Sequence, residues 1–144
     1  MGVEDGLEWR ERQRRAVRAH AEADERARAA EHAAAAELVS WFAAEAHRRG
    51  LRTTRLTARS YDGRAHYRTR LTGWYVDRAR TRAVDTDGRF HLLTVPASLR
   101  SRLFGATPAP DPAPLVVGRG GRDGESVPLR DLLTRRLAAG DDWG

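Results

Sequence analysis

From Leu7 to Arg49 the chain contains neither proline nor glycine, and alanine is its commonest residue there. A run with no stop signal of that length predicts one continuous helix. Arg48, Arg49 and Gly50 close it, with cations at the negative end of the helix dipole and a glycine ready for the left-handed position past the last turn. At about 1.5 Å per residue the helix runs roughly 65 Å, about twice the width of a small domain. Part of it must therefore leave the body.

The two halves of this helix differ. Ala34, Leu38, Trp41, Phe42 and Glu45 bring large apolar groups to helical spacing and predict packing on the domain. The first half offers Val17 and an alanine stripe (Ala16, Ala19, Ala23, Ala27, Ala30, Ala34) among Arg and Glu, with i, i+4 pairs such as Glu11 to Arg15. It reads either as a protruding charged helix or as a surface that packs on a second copy; large residues at a and d heptad positions are missing.

After Gly50 the period switches from helical to alternating. Leu56 and Ala58 alternate with Arg55, Thr57 and Arg59, and Ala65, Tyr67, Thr69 and Leu71 alternate with His66, Arg68 and Arg70. Asp62-Gly63 and Asp87-Gly88 separate alternating runs and predict hairpin turns, because both central positions of the favoured turn need positive φ. The expectation is a meander of strands at 52–61, 64–77 with a bend or bulge at Gly73, 82–86 and 89–95. A short helix from Pro96 to Phe104 follows, then a Pro-rich connector at 106–114, a strand at 115–117 and a last helix over 128–139. The expected core is Leu38, Trp41, Phe42, Leu56, Leu71, Trp74, Val76, Val84, Phe90, Leu92, Leu99, Leu103, Val116, Leu129, Leu132 and Leu133.

Charge is distributed unevenly. Twelve Arg face four Asp between Arg52 and Arg102, a net of +8, whereas residues 1–49 and 106–144 are each net −1. All 26 basic residues are Arg, and Lys, Ile, Asn and Cys are absent, as a GC-rich genome dictates. The position of the arginines therefore carries more information than their identity. Alternation between Asp-Gly turns gathers Arg55, Arg59, His66, Arg68 and Arg70 on one sheet face, with Arg82 at its edge, and predicts contact with an anionic partner. Tyr61, Trp74 and Tyr75 lie nearby in sequence, so a single-strand nucleic-acid platform is the competing reading of the same face.

A second candidate is Gly118-Arg119-Gly120-Gly121-Arg122, between a strand and a helix, where backbone amides could cradle a phosphate or nucleotide. Its spacing fits neither GxxxxGK[ST] nor GxGxxG. A third hairpin, closing on Asp123-Gly124 with Val116 and Val117 paired to Ser126 and Val127, explains it better. The five histidines form no HExxH or other ligand pattern, no serine sits in a GxSxG elbow, and no cysteine is present for thiol chemistry. No catalytic, metal or cofactor site is expected.

The segments GWYVDRARTRAVDTDGRFHLLTVP (Gly73 to Pro96) and PLVVGRGGRDGESVPLRDLL (Pro114 to Leu133) resemble a pattern in small actinobacterial proteins. These carry a charged, Ala-rich N-terminal helix followed by a compact basic body. The resemblance covers most of residues 38–137, implies that architecture, and brings no activity or ligand with it.

The sequence thus leads to an α+β protein: a protruding charged helix over 1–33, one domain over 34–140 built on a mainly antiparallel sheet of five or six strands with two short helices, and a mobile tail at 141–144. The expected role is a non-enzymatic, cytoplasmic interaction or adapter protein. Its partners would be an acidic protein or membrane-associated partner at the arginine-rich sheet and a second copy engaged through residues 7–33, with RNA or DNA the alternative. No run of about 18 apolar residues offers a membrane span.

Overall fold

The computed structural model describes residues 2–118 and 126–143. Helix α1 (Val3–Arg48) is continuous over 46 residues, with Glu4 and Asp5 in its first turn and His47 and Arg48 in its last. It stops through a Schellman arrangement: Gly50 has φ 66°, the Gly50 amide donates to His47 O and the Leu51 amide to Ala46 O. Leu51 is thereby pulled into the core. Among the described residues no side chain before Ala35 is buried, and the buried face that follows is Ala35, Val39, Phe42, Ala43 and Ala46. Glu11 and Arg15 approach to 3.9 Å on the open part, an exposed pair worth about 0.3–0.5 kcal/mol.

Five strands follow: β1 (Thr54–Ser60), β2 (His66–Tyr75), β3 (Arg82–Asp85), β4 (Phe90–Leu92) and β5 (Thr94–Val95). Their order in the sheet is β4-β3-β2-β1-β5, antiparallel except that β5 runs parallel to β1. Opposite edges of the sheet are thus held by strands that only Leu93 separates in sequence. Such a sheet must curl until its edges meet. Leu93 makes the seam: its amide donates to Thr81 O and its carbonyl accepts from the Arg59 amide, each at 2.8 Å. The sequence-predicted strand 89–95 is therefore broken into two. Leu93 and His91 turn into the barrel, while Leu92, expected in the core, lies exposed on the outside.

Inside the barrel lie Leu56, Ala58, Tyr67, Ala83 and Leu93, with Leu71 and Tyr75 packed against them. A second apolar layer sits on the outer surface of one end. There Trp74, Val76, Val84 and Phe90 meet α1 and helix α3 (Leu129–Ala139), through Phe42, Leu129, Leu133 and Leu137. Phe42 and Trp74 stack edge to face with centroids 5.8 Å apart, and Trp74 Nε1–H donates to Leu51 O. Trp41, expected in this layer, is exposed beside the cleft formed with Leu115 and Pro128.

Strands β6 (Val116–Val117) and β7 (Val127–Pro128) pair Val117 with Val127 and Val116 with Pro128. The two strands of the expected third hairpin therefore pair, one residue out of the expected register; the Asp123-Gly124 turn lies outside the described residues. Residues 141–143, expected as a mobile tail, are tied down: Asp141 accepts from the Arg52 amide at 2.7 Å, and the Arg136 guanidinium lies 4.5 Å from the Trp143 ring centroid. Arg136 itself is buried and donates to Tyr75 O and Gly140 O.

Three of the four aspartates in the basic segment build turns. Asp62 accepts from Ser60 Oγ and the Arg64 amide at the β1–β2 turn. Asp77 accepts from the Thr81 and Arg82 amides at the β2–β3 turn. Asp85 accepts from the Asp87 and Arg89 amides at the β3–β4 turn. The Ser60 hydroxyl and Arg64 amide hold the Asp62 carboxyl below its ordinary 3.8. Because the folded value is the lower one, Asp62 contributes stability above about pH 4 that is lost as pH falls through the depressed folded value. In melts at stepped pH, the gap between parent and Asp62→Ala should hold steady above pH ~4 and narrow below it. A gap unchanged down to pH ~2 would remove this role.

Candidate functional site

Cross-strand partners share a face, so the β1–β2 register decides where the arginines go. Thr57 stands opposite Arg68 and Arg59 opposite His66, with Arg55 opposite Thr72 and an irregularity between Arg55 and Thr57. The irregularity adds two residues on β2 against β1, an even number, so the alternation survives it. Arg55, Thr57, Arg59, His66, Arg68, Arg70 and Thr72 all lie on the outside of the barrel. Arg55, His66, Arg68 and Arg70 are exposed, and Arg59 is half-buried.

The same outer surface of β2 continues to Trp74, which the helices cover. Its character switches from arginine to apolar within one strand, and α1 and α3 begin where the arginines end. Helix α1 packs on α3 and β3, leaving the β1–β2 face open. The helix carboxylates nearest the body lie away from this face: Glu45 holds Arg48 at 2.8 Å and Arg49 at 3.2 Å, and Glu37 lines the cleft of Trp41 and Arg130.

Among the described residues, no carboxylate lies within ion-pair distance of Arg55, Arg59, Arg68 or Arg70. Arg55 instead reaches a backbone carbonyl, Thr69 O, at 3.4 Å. Like charges gathered on neighbouring positions of a sheet are destabilising by themselves. Arg82 leaves this group: its guanidinium pairs with Asp77 at 3.0 Å and lines a separate cleft of about 590 Å³ with Glu31, His32, Phe90 and Leu92. No protein family, curated protein or solved structure matches this chain. The geometry of the site must therefore carry its interpretation.

Of the three aromatics expected beside the arginines, Tyr61 is exposed at the β1–β2 turn. Trp74 lies under the helices, and Tyr75 points into the barrel, where its hydroxyl accepts from the Thr57 amide at 2.9 Å. Trp74 is thus buried, and the half-buried Tyr75 ring already has the Arg80 guanidinium 5.5 Å from its centroid. Of the proposed phosphate loop, Gly118 is described, with φ 86°; Arg119, Gly120, Gly121 and Arg122 lie outside the described residues.

Two features escape a reading of the sequence. Helix α2 (Leu99–Phe104) buries none of its residues, although the i, i+4 spacing of Leu99 and Leu103 predicts core. Their companions Arg100 and Arg102, in a six-residue helix with no acid, are the contrary signal. The other is a buried pair inside the barrel, His91 Nε2 to Asp85 Oδ2 at 2.7 Å. Its two members sit on the same face of the Asp87-Gly88 hairpin, and this placement follows from the turn once its register is known. His91 is 1% exposed, so a substrate has no access to it.

Proposed function

We propose that this chain is a non-enzymatic interaction protein that recognises an acidic partner on the outer β1–β2 face of its barrel. The observation that carries the reading is the gathering of Arg55, Arg59, His66, Arg68 and Arg70 on one face while three of the four aspartates of the same segment are spent on turns. A surface that repels itself gains most from a ligand of opposite charge. Helix α1 serves as the docking or self-association arm: Val3, Leu7, Trp9 and Val17 are exposed along a segment that touches nothing else in the described fold. Such a helix, stabilised by its own hydrogen bonds alone, is otherwise costly to order.

The test is a titration with polyglutamate over a salt series. The parent should bind with affinity that falls steeply as salt rises. The triple variant Arg55→Glu, Arg68→Glu, Arg70→Glu should lose at least about tenfold at low salt. A control with Arg130→Glu and Arg135→Glu, exposed on α3, should lose much less. Equal losses from the two sets would reduce the effect to net charge and sink the proposal. Tighter, Arg68-dependent binding to a single-stranded oligonucleotide would move the assignment to nucleic acid.

A further inference from the structure

Leu99, Leu103 and Phe104 are 76%, 68% and 81% exposed. Three large apolar side chains on one short helix with nothing packed over them form a patch that a soluble surface does not need. The helix is nevertheless held firmly at both ends by β2. At its start the Ser98 amide donates to the Tyr67 hydroxyl at 3.1 Å, and Ser98 Oγ caps the Ser101 amide. Past its end the Ala106 amide donates to Arg68 O at 2.8 Å. Gly105 permits that approach, since a Cβ there would stand 2.7 Å from Arg68 O. The barrel thus presents α2 as a fixed projection.

The surroundings are cationic. Arg100 and Arg102 are exposed on the helix. Arg64 shares a cleft with Leu99 and Arg102 on one side, and Arg68 and Arg70 share a cleft with Phe104 on the other. From Pro96 to Pro110 the chain has no carboxylate. Asp62, which borders Arg64, already accepts two hydrogen bonds within its own turn.

We infer that α2 and the adjoining arginine face form a docking surface for an anionic lipid bilayer, with Leu99, Leu103 and Phe104 entering the headgroup boundary and Arg64, Arg68, Arg70, Arg100 and Arg102 meeting lipid phosphate and carboxylate groups. The inference rests on reading the β1–β2 face as anion-binding, and it names the source of the anion. Stable attachment at an interface takes two signals, an apolar insertion and a basic patch, and both are present side by side. A purely acidic stretch of Asp and Glu satisfies the guanidiniums but leaves the projecting Leu99 and Leu103 in water. Nucleic-acid phosphates have the same shortcoming. The attachment is peripheral, since no helix among the described residues is long and apolar enough to cross a membrane.

The experiment is co-sedimentation of the full chain with phosphatidylcholine vesicles containing about one-third phosphatidylserine, compared with pure phosphatidylcholine. The parent should partition at least about tenfold better onto the anionic vesicles. The variant Leu99→Ser, Leu103→Ser, Phe104→Ser should lose about tenfold or more on them. Arg68→Glu with Arg70→Glu should lose a similar factor, at about fivefold or more per charge reversed. All of these residues are exposed, so unchanged thermal melts should certify the fold. Serine variants that bind as the parent does would overturn the inference by reducing the contact to charge. A parent that ignores both vesicles but binds polyglutamate through Arg68 and Arg70 would overturn it and leave the proposed function standing. A concentration-dependent mass that the serine variant abolishes, without lipid binding, would reassign the patch to a second copy. If the glutamate variant kept full vesicle binding, both the inference and the anion-binding reading of the face would fall.

Discussion

Gly73→Ala should cost the barrel a large part of its stability. A Cβ at Gly73 would stand 2.1 Å from Val84 O and 2.7 Å from Asp85 Cα. Both are backbone atoms of the neighbouring strand, so no side-chain rotation relieves the overlap. Strand β3 must separate from β2 or the pairs Gly73 to Asp85 and Trp74 to Val84 must shift. Either movement pulls Trp74 away from Phe42 and exposes the layer beneath the helices. The loss should be at least about 4 kcal/mol, a large part of the 5–15 kcal/mol typical of a domain. Gly50→Ala is the comparison. Gly50 has φ 66°, and a Cβ added there would meet nothing within 4 Å, so the penalty is conformational, about 1 kcal/mol. Urea unfolding monitored by tryptophan fluorescence measures both. A Gly73→Ala protein as stable as Gly50→Ala would show that β2 and β3 do not approach as closely as described.

The contrast between these glycines shows what a sequence reveals and what it withholds. Gly50 is legible because it ends a helix, a local event governed by adjacent residues. The Asp62-Gly63 and Asp87-Gly88 turns are legible for the same reason, and Gly63 and Gly88 have φ 74° and 83°. Gly73 gives only a hint of irregularity, because its neighbour is a strand eleven residues further on. The residue opposite it, Asp85, is known only through the register.

Alternation likewise places Arg55, Arg59, His66, Arg68 and Arg70 on one face, since a period of two survives any even insertion. It cannot tell which face is covered. In an open sheet one face is core and the other solvent; in this barrel the inside is core everywhere and the outside is core only near Trp74, Val84 and Phe90. Trp41, Leu92, Leu99 and Leu103 depart from their expected burial for that reason: each has the right spacing, but on a surface the fold leaves open. Leu93 carries no such signal, because its burial comes from closing the seam between two sheet edges, a nonlocal event.

The seam also changes how the charge pattern should be understood. In a flat sheet the arginines of β1 and β2 would be one stripe among several, with the edges free to recruit acids from either end of the chain. Closure brings β5 beside β1 and the segment behind it, including α2, back along the free edge of β2's first half. Basic strand and apolar helix become neighbours although some thirty residues separate Arg68 from Leu99. The candidate surface is a product of topology more than of composition.

The second large effect should come from inside the barrel, at Asp85 and His91. Asp85 Oδ1 accepts from the Asp87 amide at 2.9 Å and the Arg89 amide at 3.0 Å, while Oδ2 takes His91 Nε2 at 2.7 Å. A carboxylate only accepts, so His91 Nε2–H is the donor. His91 Nδ1 is buried with no partner among the described residues. Asp85→Ala removes three hydrogen bonds at once, frees two amides of the hairpin and leaves both ring nitrogens of a buried histidine unpaired. With each buried unsatisfied group costing about 1–3 kcal/mol, the total should be about 3–5 kcal/mol. His91→Leu takes away both nitrogens together and fills a site beside Ala83 with a group like those of Leu56 and Leu93. Asp85 keeps its two amide donors but loses the partner of Oδ2, so that variant should lose about 2–3 kcal/mol, less than Asp85→Ala. Adding His91→Leu to Asp85→Ala should then recover part of the loss, because the orphaned ring is gone while the Asp87 and Arg89 amides still lack their acceptor. Urea unfolding of the two single variants and the double variant closes the cycle. If His91→Leu were as damaging as Asp85→Ala, and the double variant worse than either, the histidine would be holding the barrel through its own packing, and Asp85 would matter only as a turn former.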